Sequence, residues 1–226
     1  MSKISLKHSG GNVVSLNSPT SAPTSADVAF KLPNADGTSG QAIVTDASGN
    51  LSFAGTGIIL QVVATNVTAT SSFSMSSHST LYDTPLTVNI TSVGANSKFV
   101  ISGAISGEGS QPDHDYGFVI RRTIGGSGTS IAIGDAGGGN QVSITRMMSV
   151  GYNANDQSST ASSSHIAPYL DSPSQSAGTT ITYSFSAIEH GGNNSTTFYI
   201  NRCVDDQNAT GYERPVSYIT VMEVAA

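Results

Sequence analysis

The chain has 226 residues and a formal net charge of −6, and only 11% of its residues are charged, less than half of the ~25% usual in soluble proteins. Good helix formers such as Lys and Glu are scarce while Gly, Ser, Thr, Val and Ile abound, which disfavours helical bundles, coiled coils and doubly wound α/β enzymes. The acidic balance and scattered basic residues argue against a nucleic-acid partner. A single Cys excludes an internal disulfide.

Residues 1–56 carry few apolar side chains, and these come in short β-branched bursts separated by Gly-, Pro- and Asx-rich turns. The clearest pattern, residues 41–53, predicts a hairpin with a Gly-containing loop. So few apolar side chains cannot offset ~1–2 kcal/mol of backbone entropy for each ordered residue. The segment is therefore either a disordered linker or, as the β-branched bursts favour, an intertwined stalk whose core is shared among the chains of a homotrimer.

The composition changes near residues 55–57, and longer strand patterns follow. Several alternate with period two, as where Tyr183 and Phe185 are separated by Ser184. No segment shows a helical apolar period. The pattern predicts an all-β protein with a jelly-roll-like β-sandwich at 57–226, whose strands we place at 58–68, 73–75, 86–91, 98–105, 117–124, 129–133, 142–147, 181–188, 196–204 and 216–224.

No feature of the sequence predicts membrane insertion. The longest apolar stretch, residues 57–64, is too short to span a bilayer, and the first residues are polar, without the apolar region of a signal peptide. We expect a protein that is made in a cytoplasm.

Asp113, His114 and Asp115 fall in a predicted polar loop, residues 107–116. Two carboxylates beside an imidazole can ligate a hard divalent cation. Their spacing matches no specific metal motif, however, and a solvated loop that is available to a receptor is the simpler interpretation. We predict no metal and no cofactor.

Three further features could support catalysis and are better interpreted as structural. Glu189 and His190 could form an acid–base pair, but the Gly- and Asn-rich stretch after them indicates the end of a strand. Asp205 and Asp206 could be paired carboxylates of a polysaccharide-cleaving enzyme, although the sequence does not fix their separation. Cys203 falls in a predicted strand and is expected to be packed and inert. We predict that the protein is not an enzyme.

Tyrosines are the best candidates for contact with sugars, because each offers an apolar ring and a hydroxyl. Tyr152, with its neighbour Asn153, lies in the predicted loop 151–164, and Tyr212 lies in the loop 208–214. Loops at one end of a sandwich commonly carry function. The candidate receptor-binding residues are therefore Asp113, His114, Asp115, Tyr152, Asn153 and Tyr212.

The sequence resembles bacteriophage fibre proteins, those of marine and cyanobacterial phages in particular. Residues 4–12, 28–37 and 41–53 resemble their stalk modules, and residues 134–138, 169–173, 198–202 and 216–225 are similar to their distal domain. The resemblance extends over nearly the whole chain, but its motifs are architectural and supply no site residues. It implies a homotrimeric virion fibre with its N-terminal part on the particle and a C-terminal knob facing outward.

The leading hypothesis is a trimeric tail fibre whose knob binds a host-surface receptor, most simply a glycan, with avidity from three weak sites. The alternative is a capsid-attached head fibre, or a cement or decoration protein that stabilises the shell, because the chain lacks the long shaft of a tail fibre. In both, residues 1–56 bind other virion proteins, a tail hub or adaptor in one and the major capsid protein in the other. A depolymerase of host polysaccharide is the third hypothesis.

Overall fold

The computed structural model describes residues 3–7, 9–17, 21, 30–38, 41–46, 48, 50–55, 59–77, 80–111, 114–135, 143–148, 159–190 and 195–226. These residues form fifteen β-strands and no helix, which confirms the predicted all-β class. A helix able to cross a membrane is accordingly absent from this part of the chain. The strands belong to two compact units, Met1–Thr56 and Gly57–Ala226.

The N-terminal unit contains two antiparallel hairpins. The first joins β1 (Lys3–Lys7) to β2 (Val13–Asn17). The second joins β3 (Gln41–Thr45) to β4 (Leu51–Gly55), which confirms the hairpin predicted at residues 41–53.

Asp46 organises the turn of the second hairpin. Its side chain accepts hydrogen bonds from the side chain of Asn50 (2.5 Å) and from the backbone N–H groups of Ser48 (2.8 Å) and Asn50 (3.1 Å). These bonds, the Asn50 side chain first, hold the pKa of Asp46 below its usual value. This is the local turn chemistry for which Asp is favoured between strands.

The C-terminal unit is a sandwich of two antiparallel sheets. The first sheet has the order β10–β9–β13–β7, with β11 also against β9; its strands are β7 (Tyr82–Thr91), β9 (Asp115–Ile124), β10 (Ser127–Ile131), β11 (Arg146–Met148) and β13 (Thr180–His190). The second has the order β5–β15–β8–β14–β6, with β12 also against β8; its strands are β5 (Ile59–Val67), β6 (Ser71–Met75), β8 (Lys98–Gly109), β12 (Ser162–Asp171), β14 (Thr196–Ile200) and β15 (Ser217–Val224).

The long strand β8 organises the second sheet. It pairs with β12 along one edge from Phe99 to Gly107, and Gly107 also pairs with Ile200 of β14. Strand β15 pairs with residues 98–104 of β8, in the stretch where β12 pairs with the other edge. Strands β14 and β15 therefore lie one after the other along the edge of β8 opposite β12. The chain between β14 and β15, residues 201–216, therefore starts and ends at the middle of that edge.

The core lies between the two sheets and is filled by side chains at alternate strand positions. Its centre is aromatic: the rings of Phe118 and Phe198 have centroids 5.5 Å apart, and those of Tyr116 and Phe198 are 5.6 Å apart. Elsewhere in the core, Tyr183 donates a 2.7 Å hydrogen bond to one carboxylate oxygen of Asp171, and the other oxygen of Asp171 lies 2.7 Å from Nη1 of Arg122. This buried contact ties β12 to the first sheet.

Strands β12 and β14 are among the elements that differ from the prediction. Strand β12 lies partly where we expected a loop, because its first residues are serines and it contains Pro168. Proline is tolerated there because the register shifts between Ile166 and Tyr169, so no regular ladder bond is lost. Strand β14 ends at Ile200 and not at residue 204, because Asn201 has a φ of 59°, which turns the chain away from the sheet.

Candidate functional site

The structure places the predicted site residues in different settings. Asp113, Tyr152 and Asn153 lie outside the described residues. Asp115 is exposed and begins β9, whereas Tyr212 is half-buried in the segment between β14 and β15. The role of Asp115 and Tyr212 in receptor binding stays a prediction.

His114 does not belong to an exposed loop. The residue is buried, with 6% exposure, and its Nδ1 lies 2.8 Å from Oε1 of the buried Glu189. The connection from β8 to β9 is shorter than predicted, because β8 continues to Gly109, and the imidazole packs beside the end of β13. Glu189 thus pairs with His114, and the described residues contain no metal-binding group of three His, Cys, Asp or Glu side chains.

The segment after β14 forms an open groove of about 660 Å³. The groove has predominantly polar walls that include one aromatic side chain, and its lining residues are Asp206, Gln207, Asn208, Ala209, Thr210, Tyr212 and Arg214. We call it the 206–214 groove. It contains Tyr212 and most of the predicted receptor loop 208–214.

Arg214 and Asp206 form a fork across the groove. Nε of Arg214 donates to one carboxylate oxygen of Asp206 at 2.9 Å, and Nη2 donates to the other at 2.8 Å. The backbone at Asp206 is in the left-handed region, with a φ of 42°. The bidentate geometry orients the guanidinium, which is largely exposed and has further N–H donors for a ligand.

Arg202 fixes the beginning of the segment on the sheet. Its guanidinium lies 4.0 Å from the centre of the Tyr199 ring, a cation–π contact. Its Nη1 donates hydrogen bonds to the carbonyl groups of Cys203 (3.0 Å) and Val204 (2.9 Å), and lies 3.8 Å from Asp206. The turn before the groove is thus held by a side chain that is itself packed on β14.

Three hydrogen bonds fasten the base of the groove. The N–H of Val204 donates to the buried carboxylate of Glu108 at 2.8 Å, and the N–H of Glu213 donates to Sγ of Cys203 at 3.3 Å. The carboxylate of Glu213 accepts a 3.1 Å bond from the N–H of Ala161. Cys203 is buried, as predicted, but beyond the end of β14, and burial raises the pKa of its thiol to about 11. The groove therefore has a fixed base and an exposed tip.

The groove carries hydrogen-bonding groups of both kinds. Both carboxylate oxygens of Asp206 accept hydrogen bonds from Arg214. Amide, hydroxyl and guanidinium groups supply both donors and acceptors along the groove.

The sequence indicated Tyr212 as a candidate and placed Arg214 in the predicted loop 208–214, but it did not predict the contact of Arg214 with Asp206, which we considered only as a catalytic carboxylate. The fork joins residues eight positions apart, and the backbone at Asp206 is left-handed. An Asp and an Arg that flank a Gly-containing loop are a weak signal, because most exposed pairs of this kind do not meet in space.

No family model matches this chain, and no curated protein sequence matches it. Among solved structures, the chain is similar to that of infectious bursal disease virus Gx strain, with 16% identity and a TM-score of 0.31 over 82% of this chain and 41% of that one. The structure of the Gt strain has 15% identity and a TM-score of 0.29, over 95% of this chain and 43% of that one. A mutant VP2 protein of the same virus, in T=1 particles, has 15% identity and a TM-score of 0.30, over 80% of this chain and 42% of that one. The chain thus spans less than half of the length of these proteins.

Proposed function

We propose that this protein is a structural protein of a bacteriophage virion, a homotrimeric tail fibre whose C-terminal sandwich binds a host-surface glycan through the 206–214 groove. The observation that carries the proposal is the groove itself: exposed hydrogen-bonding side chains arranged around the fixed Asp206–Arg214 fork, on a base fastened to the sheet. The resemblance of the sequence to phage fibres supports the placement on a virion.

The groove suits a sugar better than an apolar ligand. Sugar hydroxyls both donate and accept hydrogen bonds, and Asn208, Thr210 and Arg214 offer complementary groups. The ring of Tyr212 provides an apolar surface for the C–H face of a sugar. An open site of this kind binds weakly, and three sites on a trimer, with several trimers on a particle, raise the effective affinity.

The N-terminal unit supports attachment to other chains. Leu32 is 81% exposed, and Phe30 and Ile43 are also exposed, in a unit that has few apolar side chains. Covering such side chains stabilises an assembly by about 25 cal/mol for each Å² of apolar surface. This exposure fits attachment to a tail hub or adaptor, and equally a second candidate function, a capsid-attached fibre or decoration protein.

Glycan binding is tested with the purified 226-residue protein on an array of bacterial surface polysaccharides, displayed on beads to retain avidity. We expect binding to a subset of glycans and at least a tenfold loss for Tyr212→Ala, with Asn89→Ala, on an exposed position of β7, as the matched control. Binding that survives Tyr212→Ala and Arg214→Gln together would place the receptor site elsewhere. We also propose that bound polysaccharide keeps its chain length, and shortened products would indicate an enzyme.

The position on the virion is tested by gold-labelled antibody against residues 57–226 on intact particles. Label at the tail is the result expected for a tail fibre. Label distributed over the head would favour the capsid-attached alternative, and an unlabelled intact particle would contradict both.

A further inference from the structure

An apolar row crosses the outer face of the second sheet. In the register of the sheet, Val62 of β5 lies beside Met222 of β15, Met222 beside Val100 of β8, and Val100 beside Leu170 of β12. These four residues alternate with the inward positions, so they point away from the core. Val62 is 55% exposed and Leu170 is 53% exposed, and the row spans three strand spacings, about 14 Å.

The surroundings of this row carry almost no charge. The other outward positions of β5, β8, β12 and β15 are small, hydroxyl-bearing, amide or apolar residues, apart from Lys98, His165 and Glu108. Glu108 lies eight positions along β8 from Val100 and is fully buried, and its carboxylate accepts a hydrogen bond from the N–H of Val204. A chain with a net charge of −6 thus exposes no carboxylate at the outward positions of these four strands.

The outer face of the first sheet is different. There the row formed by Asn89, Thr182 and Thr123 is entirely polar, and Thr182 donates a 2.7 Å hydrogen bond to Asn89. Hydroxyl and amide side chains keep that face compatible with water. The apolar row on the second sheet therefore departs from the way this same domain presents a sheet to solvent, and exposed apolar patches of this kind mark interaction sites.

We propose that the apolar row is the interface between copies of this chain. Around a threefold axis of a closed ring, the residues of each copy that lie nearest the axis face their equivalents on the other two copies, which brings like charges together there unless that surface is neutral. The acidic chain is neutral to slightly basic at the row, so copies approach there without carboxylate repulsion. Three copies around a threefold axis each turn this face inward. The inference rests on the homotrimer of the proposed function and assigns the surface that forms it.

The test uses two double variants of the full chain that add the same charge to opposite faces. Val62→Lys with Leu170→Lys alters the apolar row, and Asn89→Lys with Thr123→Lys alters the first sheet. We expect light scattering after size exclusion to give three times the 23.1 kDa chain mass for the unaltered protein and the control. Circular dichroism should show that the row variant is folded. We expect it to dissociate into monomers at a protein concentration at least tenfold higher than that at which the unaltered protein dissociates. A row variant that remains trimeric at every concentration, or an unaltered protein that is monomeric, would overturn the proposal.

A second measurement covers the case in which the row variant does not fold. The single native thiol, Cys203, is buried, so Val62→Cys and Asn89→Cys each introduce one accessible thiol. In the assembled protein we expect maleimide to label Val62→Cys at least tenfold more slowly than Asn89→Cys. Equal labelling rates would show that the row is open to solvent in the assembly and would exclude it as the interface. Both measurements are independent of glycan binding, so their failure leaves the 206–214 groove unaffected.

Discussion

Glu223 is a charged residue at a fully buried position of β15. Its carboxylate accepts hydrogen bonds from the side chain of Gln61 (2.5 Å) and from the N–H groups of Val93 (2.9 Å) and Gly94 (3.0 Å). Burial acts to raise the pKa of Glu223, but the bonds from Gln61, Gly94 and Val93 outweigh it and hold the pKa below the usual glutamate value. The side chain thus ties the loop after β7 to the second sheet.

Replacing Glu223 with Gln should destabilise the protein by about 1–3 kcal/mol, because an amide cannot accept from all of these donors at once. Urea unfolding at pH 7 measures the loss. Asp115→Asn is the matched control, since Asp115 is exposed, and it should stay within about 0.5 kcal/mol of the unaltered protein.

The same carboxylate predicts a pH dependence. Because its pKa is lower in the folded chain than in the unfolded chain, its contribution to the free energy of unfolding is complete above the unfolded pKa and disappears as the pH falls through the lowered folded pKa. Unfolding measured from pH 6 down to pH 3 should show a smaller loss of stability in Glu223→Gln than in the unaltered protein. Parallel curves would contradict this role.

Cys203 should be inert in the native protein. Burial raises its pKa to about 11, so the reactive thiolate is rare at pH 8, and the sulfur is also shielded from reagent. We expect iodoacetamide to alkylate the native thiol more than tenfold more slowly than the thiol in urea, as followed by mass spectrometry. Comparable rates in the two conditions would mean that the base of the 206–214 groove opens readily.

At the scale of single elements, the packing at the end of β8 requires glycine at position 109, because a side chain there would clash. A Cβ at Gly109 would lie 2.0 Å from the ring of Tyr116, which is buried against Phe198. Gly109→Ala should therefore cost about 1–3 kcal/mol through overpacking, measured by urea unfolding. Gly134→Ala is the control, because the nearest atom to its added Cβ lies 3.9 Å away, and it should be nearly neutral.

A substitution in the segment between β14 and β15 should weaken ligand binding without lowering the stability of the fold. An exposed ion pair contributes about 0–1 kcal/mol to folding, so Arg214→Gln should hardly change the unfolding midpoint while it weakens glycan binding at least fivefold. Isothermal titration calorimetry measures the glycan affinity, and urea unfolding of the same preparation measures the stability. A large loss of stability would indicate that the Asp206–Arg214 fork supports the fold and not a ligand.

The elements also show what the sequence can and cannot predict. Strand β13 was predictable because apolar and Ser/Thr positions alternate in it. Strand β12 was not, since its serines and Pro168 imitate a loop and only its pairing with β8 makes it a strand. The burial of His114 depends on Glu189, a partner 75 positions away, and no local pattern indicates such a contact.

For the whole molecule, the position of the core predicts which part can fold alone. The buried apolar cluster and the side chains packed on it lie between Val63 and Val221, entirely within the C-terminal unit. A chain of residues 57–226 should therefore fold and unfold cooperatively, as measured by circular dichroism in urea. Aggregation or the absence of an unfolding transition would mean that residues 1–56 are required for folding.

Strand β15 lies between β5 and β8 in the second sheet, although it is synthesised after both of them. Until the ribosome has added residues 217–224, β5 and β8 cannot be joined through β15, and each presents an unpaired edge there. The order of synthesis therefore delays completion of this sheet until residues 217–224 are translated, which exposes a nascent chain to edge pairing with its neighbours on the same messenger RNA.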